Sequence, residues 1–242
     1  MIVNWSAKWN VFEKTMESEY FRRLVWMGLR NTVLIAVVGL CLGILIGGMI
    51  GVIKAAPKRR LAARVADRVC SAYVALFRGT PMVVQLLLAY YVLLPALGVR
   101  GVEAVRVGMA VFGLNSGAYV SELMRSGLGS VDPGPMEAGR AVGLSYLAAT
   151  RKIVLPQAFH NILPALGNEF VTLIKETSVL SFITVYDLYT AFGTIGAKNY
   201  EKMVPYLAMA LIYILLVLAI TLLVRLVEKL TGRGRRAHAA GL

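Results

Sequence analysis

Lys175-Glu176-Thr177-Ser178 offers both charge signs and two hydroxyls within little more than one helical turn, in a stretch that is otherwise strongly apolar. An ionisable residue near the centre of a membrane span costs about 2.5–3.5 kcal/mol on insertion scales. Such a segment must therefore face protein or a water-filled cavity. Helical spacing extends the pattern. Glu169, Thr172, Glu176, Ile183 and Asp187 fall along one stripe of a helix expected over Ile162 to Tyr189, with Asn168 and Lys175 on the stripe beside it. Asn115, Tyr119 and Glu122 form a second polar stripe at i, i+4 and i+7. Together the stripes offer an acid for an ammonium and donors for a carboxylate, which is what a path for a small zwitterion requires. The competing reading is internal pairing, for example Glu122 with Arg125 at i, i+3.

Covalent chemistry finds no footing. The chain has no P-loop pattern, so no nucleotide site is expected in it. His160 and His238 stand apart from any Cys or acidic cluster of metal-ligand spacing, so no metal site is expected. Cys41 and Cys70 lie in or near apolar helix and read as small buried residues. No paired carboxylates suggest hydrolysis.

The elements that position these residues are helices in a membrane. Of the 242 residues 58% are hydrophobic, and they are gathered into runs. Asn31 to Ile53, Gly79 to Val99 and Met203 to Val224 carry no charge, and each is at least as long as the ~20 residues needed to cross a ~30 Å hydrocarbon core. Val107 to Ser121 and Ile162 to Tyr189 are weaker candidates. The fold class expected is all-α and polytopic, with about five transmembrane helices. Period-two alternation is absent, which argues against a membrane barrel.

An odd number of spans puts the termini on opposite sides. The net charge of +13 is concentrated in two places. Lys54, Lys58, Arg59, Arg60, Arg64 and Arg68 crowd the first inter-span loop, and Arg225, Lys229, Arg233, Arg235 and Arg236 crowd the C-terminal tail. Short Lys/Arg-rich loops stay cytoplasmic, so the C-terminus is expected inside and the N-terminus outside, although Arg22, Arg23 and Arg30 pull the other way. This distribution suits a membrane and its lipid, and no nucleic-acid partner is expected. No cleavable signal peptide is expected either, because the first apolar run starts late and is too long.

Three regions are expected: an interfacial segment at 1–30, a membrane domain at 31–230 and a basic tail at 231–242. Trp5, Trp9, Phe12 and Met16 at helical spacing suit an interfacial amphipathic helix, or equally a helix packed on the bundle. Gly39, Gly43, Gly47 and Gly51, each four apart, place small residues on one face for close helix packing. Phe77-Arg78-Gly79-Thr80-Pro81 should break the helix, leaving backbone groups that neighbours must satisfy. It reads either as a plain helix start or as a substrate-lining turn.

Between the third and fourth spans, about 127–160, lies a polar segment with strong helix signals. A turn cluster, Asp132-Pro133-Gly134-Pro135, precedes a helical run that Gly143 should end or bend. Ser145 is a plausible N-cap for a second piece ending near Leu155-Pro156. Two short helices with a glycine joint make a compact knob outside the membrane, suited to docking a soluble partner.

Glu137-Ala138-Gly139-x3-Gly143-x9-Ile153-x-Leu155-Pro156 resembles the EAA loop of bacterial ABC-importer permeases, with Gly139 where that pattern more often has alanine. Phe77-Arg78-Gly79-Thr80-Pro81 with Gln85, Ala118-Tyr119 with Glu122 and Arg125, and Leu163-Pro164-Ala165-Leu166-Gly167-Asn168 with Lys175-Glu176-Thr177-Ser178 resemble its polar amino-acid uptake branch, the glutamine, histidine and arginine type. Ser121, Ser126 and Pro135 depart from it. The resemblance spans nearly the whole chain. It implies a type I permease subunit in the bacterial inner membrane, paired with a copy of itself or a sister subunit. A cytoplasmic ABC ATPase dimer would bind ATP and magnesium, and an extracytoplasmic solute-binding protein would deliver the amino acid. No cofactor is implied in this chain, which would not itself be an enzyme. Coupling would fall to Glu137, Ala138, Gly139, Gly143, Ile153, Leu155 and Pro156. The substrate path would take in Arg78, Gly79, Thr80, Pro81, Tyr119, Glu122, Asn168, Glu169, Thr172, Lys175, Glu176, Thr177 and Ser178. An ion-coupled secondary transporter or channel, with Glu169 and Glu176 as ion sites, is the alternative.

Overall fold

The structure, a computed structural model, describes residues 4–55 and 61–230. Lys58, Arg59, Arg60, Arg233, Arg235, Arg236 and His238 lie outside the described residues. Those described are helical, with no strand among them: α1 Trp5–Glu17, α2 Glu19–Ala55, α3 Leu61–Gly79, α4 Met82–Leu87, α5 Leu94–Ala96, α6 Ala104–Gly129, α7 Pro133–Ala141, α8 Tyr146–Ala149, α9 Leu155–Glu176, α10 Leu188–Lys198 and α11 Met203–Leu230. Glu19–Lys54 and Met203–Leu230 are each long and apolar enough to cross a membrane. Two interrupted helix pairs, Leu61–Gly79 with Met82–Ala96 and Tyr146–Ile183 with Leu188–Lys198, raise the number to four if each counts as one span. At 26 residues α6 also has the length, but its polar residues dilute its apolarity.

The chain divides into two compact units. The first comprises Met1–Cys41, Thr80–Gly113 and Thr172–Leu218. Its core joins Phe21 and Leu24 of α2 to Leu188, Ala191, Phe192 and Ile195 of α10. Phe12 and Met16 of α1 pack on that cluster, while Trp5 and Trp9 stay exposed. Helix α1 is thus packed on one face and bare on the other. Lys8 pairs with Glu201, and Asn199 donates to the Thr15 hydroxyl.

The second unit comprises Leu42–Gly79, Leu114–Val171 and Ala219–Leu242. Here the glycine ladder of α2 meets α6: a Cβ on Gly47 would lie 2.7 Å from Ser121 N, and one on Gly51 would lie 3.0 Å from the Met124 Cβ. Gly43 faces Ser116 in the same way. Within the first unit Gly39 does so against Phe112. The ladder is a packing device, as its spacing indicates. Cys41, read from sequence as buried, is exposed on α2.

Two π-helical turns interrupt the helices, at Leu88–Leu93 and Thr150–Val154. Each ends two residues before a proline, Pro95 and Pro156. A proline supplies no N–H to the carbonyl four residues back, and its ring crowds that carbonyl. The turn widens, and Leu94 and Leu155 donate to Ala89 and Thr150, five residues back.

Candidate functional site

The segment after α6 begins as its turn and cap signals lead one to expect, but the second helical piece does not end near Leu155-Pro156: a π turn accommodates the proline and the helix runs on into α9. Asp132 caps α7 by accepting from Gly134 N at 2.9 Å, and Pro133 takes the first helical position. Gly143 ends the helix with φ at +90°, a left-handed conformation that favours glycine. Leu144 N donates to Gly139 O and Gly143 N to Arg140 O, both at 3.1 Å, a paired closure that satisfies the last carbonyls. Ser145 then caps α8 by accepting from Ala148 N at 3.2 Å. The chain passes through the π turn and continues without a break into α9.

Gly139 is buried. A Cβ there would lie 2.6 Å from Ile153 Cδ1 and 3.4 Å from Leu144 Cδ1, so the bare glycine leaves room for Ile153 to close the knob. Glu137, Ala138, Gly143, Leu155 and Pro156 are exposed, and Ile153 is half-buried. The tip carries apolar side chains that sequence reasoning passed over: Val142, Tyr146 and Leu147 are 81%, 68% and 76% exposed. Clustered exposed apolar groups of this kind mark protein-binding surfaces. Their signal in the sequence was large apolar residues flanking the glycine joint of a polar segment.

The remaining candidates divide between the two units. In the second, the end of α3 is fastened to α6. Tyr73 donates to Leu114 O, Asn115 Nδ2 donates to Phe77 O at 3.4 Å, and the Arg78 guanidinium lies 5.4 Å from the centre of the Tyr119 ring. Arg78, Gly79 and Tyr119 are exposed. Glu122 forms the internal pairing: its carboxylate takes Arg125 Nε at 2.9 Å and Lys54 Nζ at 3.4 Å. Asn168 is exposed and Glu169 half-buried on α9.

In the first unit the break at Thr80-Pro81 is closed by Gln85, whose Nε2 donates to Thr80 O at 3.0 Å and to Thr80 Oγ1 at 2.9 Å. Thr80 is half-buried and Pro81 exposed. Helix α4 lies against the 3-10 turn Thr177–Ile183, and Tyr91 of the π turn donates to Phe182 O at 3.2 Å. The start of the second span and the polar end of α9 are therefore neighbours. Thr172 and Lys175 are exposed, and Glu176 is half-buried.

The polar stripe is shorter than its spacing implied. Helix α9 ends at Glu176 and gives way to the 3-10 turn, after which Thr184 adopts a left-handed φ of +62°. Asp187 belongs to another helix, capping α10 through Thr190 N at 2.9 Å and Tyr189 N at 3.1 Å. Thr177 is fully buried and donates to Ile174 O at 2.7 Å, while Ser178 donates to Lys175 O at 3.2 Å. Where α-helix becomes 3-10 helix, carbonyls lose their usual partners, and these two hydroxyls supply replacements. Among the described residues no group of His, Cys, Asp and Glu can hold a metal.

Apolar spans and an ordered, exposed knob define a polytopic helical membrane protein built to meet a partner outside the bilayer. Residues 39–233 match the family described as binding-protein-dependent transport system inner membrane components. The chain belongs to that family, and it is accordingly an inner membrane protein. It is 36% identical over 202 residues to the arginine transport system permease protein ArtQ of Bacillus subtilis, covering 84% of this chain and 90% of that one. It is 31% identical over 229 residues to the glutamine transport system permease protein GlnP of Escherichia coli, covering 95% and 98%. Among solved structures, an amino acid ABC transporter crystallised with histidines matches with a TM-score of 0.80 at 34% identity, over 95% of this chain and 99% of that one. The methionine transporter MetNI, at 20% identity and a TM-score of 0.70 over 88% of this chain and 99% of that one, shares the fold.

Proposed function

We propose that this chain is the translocation subunit of an ATP-driven importer of polar amino acids, with its N-terminus outside and its C-terminus in the cytoplasm. The similarity to an amino acid ABC transporter along 95% of the chain carries this reading, and relatives named for arginine and glutamine point to the same substrate class. The knob docks on a cytoplasmic ABC ATPase dimer through Val142, Tyr146 and Leu147, with Glu137 and Ala138 beside them. Gly139, Gly143, Ile153, Leu155 and Pro156 give the knob its shape. ATP and magnesium bind to the partner, and a second permease subunit and an extracytoplasmic solute-binding protein complete the assembly.

Coupling follows from continuity. The knob returns through one π turn into α9, so a displacement at the tip is delivered to Asn168, Glu169, Thr172, Lys175 and Glu176 on that helix. Arg78, Gly79, Thr80, Pro81, Tyr119 and Glu122 border the path, with Thr177 and Ser178 supporting the helix end beneath it. Nucleotide shifts the bundle between states only through its different affinity for them.

The test is ATP hydrolysis by the reconstituted complex, stimulated by loaded binding protein across a panel of amino acids. Stimulation by a polar subset is expected. Uptake that proceeds with an ion gradient alone would overturn the reading.

A further inference from the structure

An apolar cleft of about 530 Å³ opens in the second unit, outside every residue assigned above to the substrate path. Gly48 and Val52 of α2, Met124 of α6, and Leu155 and Phe159 of α9 are among its lining residues, and Arg151 stands with them. The volume falls within the roughly 300–1,000 Å³ of small-ligand sites, and almost all the lining surface is apolar.

Three observations point to one occupant. Gly48 is off the ladder that packs α2 on α6: a Cβ there would meet nothing within 4 Å, so the glycine leaves open space in the cleft. Arg151 is exposed and forms no ion pair among the described residues. It sits in the polar knob, and Val52 lies two residues from Lys54, where the apolar run of α2 ends. The cleft therefore meets water at the level where phospholipid phosphates lie. A guanidinium fork suits a phosphate, and basic pockets between transmembrane helices accept anionic headgroups. Eleven residues line the cleft, well short of the roughly 20–30 a side in a stable protein interface.

We propose that this cleft binds an anionic phospholipid, with an acyl chain over Gly48 between α2, α6 and α9 and the phosphate on Arg151. The lipid would bridge the first span to the base of the knob at Leu155.

Phe159→Trp places a fluorophore in the cleft of the full transporter, reconstituted into phosphatidylcholine vesicles with stepped fractions of phosphatidylglycerol. Quenching of the added tryptophan is read as the difference from the parent transporter, which carries Trp5, Trp9 and Trp26. Phosphatidylglycerol brominated on its acyl chains should produce it at about fivefold lower mole fraction than brominated phosphatidylcholine, the preference expected of one cation near a surface. Arg151→Gln should abolish that preference and Arg151→Lys should keep most of it. Gly48→Leu, which fills the open space, should remove the quenching by either lipid. Equal quenching by both lipids, or quenching that survives Gly48→Leu, would overturn the proposal. So would no quenching at all, since the cleft would then be covered by protein. If Gly48→Leu fails to assemble, the comparison of the two lipids on the Phe159→Trp chain still decides.

Discussion

Ile153 Cδ1 occupies the space above the bare Cα of Gly139, so a residue after the glycine joint locks against one before it. Gly139→Ala would gain about 1 kcal/mol of helix propensity and incur about 1–3 kcal/mol of crowding, which Ile153 can relieve by rotating. The single variant should melt close to the parent, and Gly139→Ala with Ile153→Val should melt higher. Gly139→Leu, with no room to adapt, should lose ~2 kcal/mol or more. Thermal unfolding of the parent, Gly139→Ala, Ile153→Val and the double variant as a double-mutant cycle checks the coupling, expected between about 0.5 and 3 kcal/mol.

The knob tip should matter for docking and not for folding. Val142→Asp and Leu147→Asp alter side chains that are largely exposed, so the purified subunit should keep its melting temperature. Co-purification of the ATPase and substrate-stimulated hydrolysis should both fall at least tenfold, which corresponds to about 1.4 kcal/mol of binding. Gly143→Ala should fail differently. Its left-handed φ costs an L-residue roughly 1–2 kcal/mol, so knob stability should drop together with coupling.

Gln85 is predicted to be structural at the helix break. Removing its amide in Gln85→Ala leaves the Thr80 carbonyl without that donor, worth about 1–3 kcal/mol when buried. Gln85→Glu should be no better, because an ionised carboxylate accepts and cannot donate. A lowered melting temperature in both variants, with amino-acid selectivity unchanged, is the expected result.

The polar end of α9 separates substrate contact from helix support. Lys175→Gln, Thr172→Val and Glu176→Gln should weaken transport while the ATPase stays bound. Thr177→Val should instead reduce stability by about 1 kcal/mol and leave the substrate KM in place, because its buried hydroxyl is already given to Ile174 O.

The pairing of Lys8 with Glu201 should make α1 acid-sensitive. A hydrogen bond from the Lys8 ammonium leads the influences that hold the Glu201 carboxyl below its usual value of 4.5. For a depressed carboxylate the stabilisation is complete above the ordinary glutamate range and disappears as pH falls through the lower folded value. Fluorescence of Trp5 and Trp9 should therefore change below pH ~4, and Glu201→Gln should remove that step.

Local rules made much of this protein legible from its sequence. Long uncharged runs imply membrane helices, Gly143 implies a left-handed joint, Ser145 implies a cap, and Pro81 implies a break, because each depends on a residue and its near neighbours. The tertiary structure alone decided what side chains meet across the chain. It split the polar stripe of 162–189 at Thr184, where a left-handed turn sends Asp187 to cap another helix. It brought Lys54 to the Glu122–Arg125 pair that helical spacing already allowed, turned Thr177 inward, and bared Val142 and Leu147 at the knob tip. Helical spacing fixes which residues share a face only while the helix lasts. Whether that face meets a partner, a lipid or its own backbone depends on segments distant in sequence.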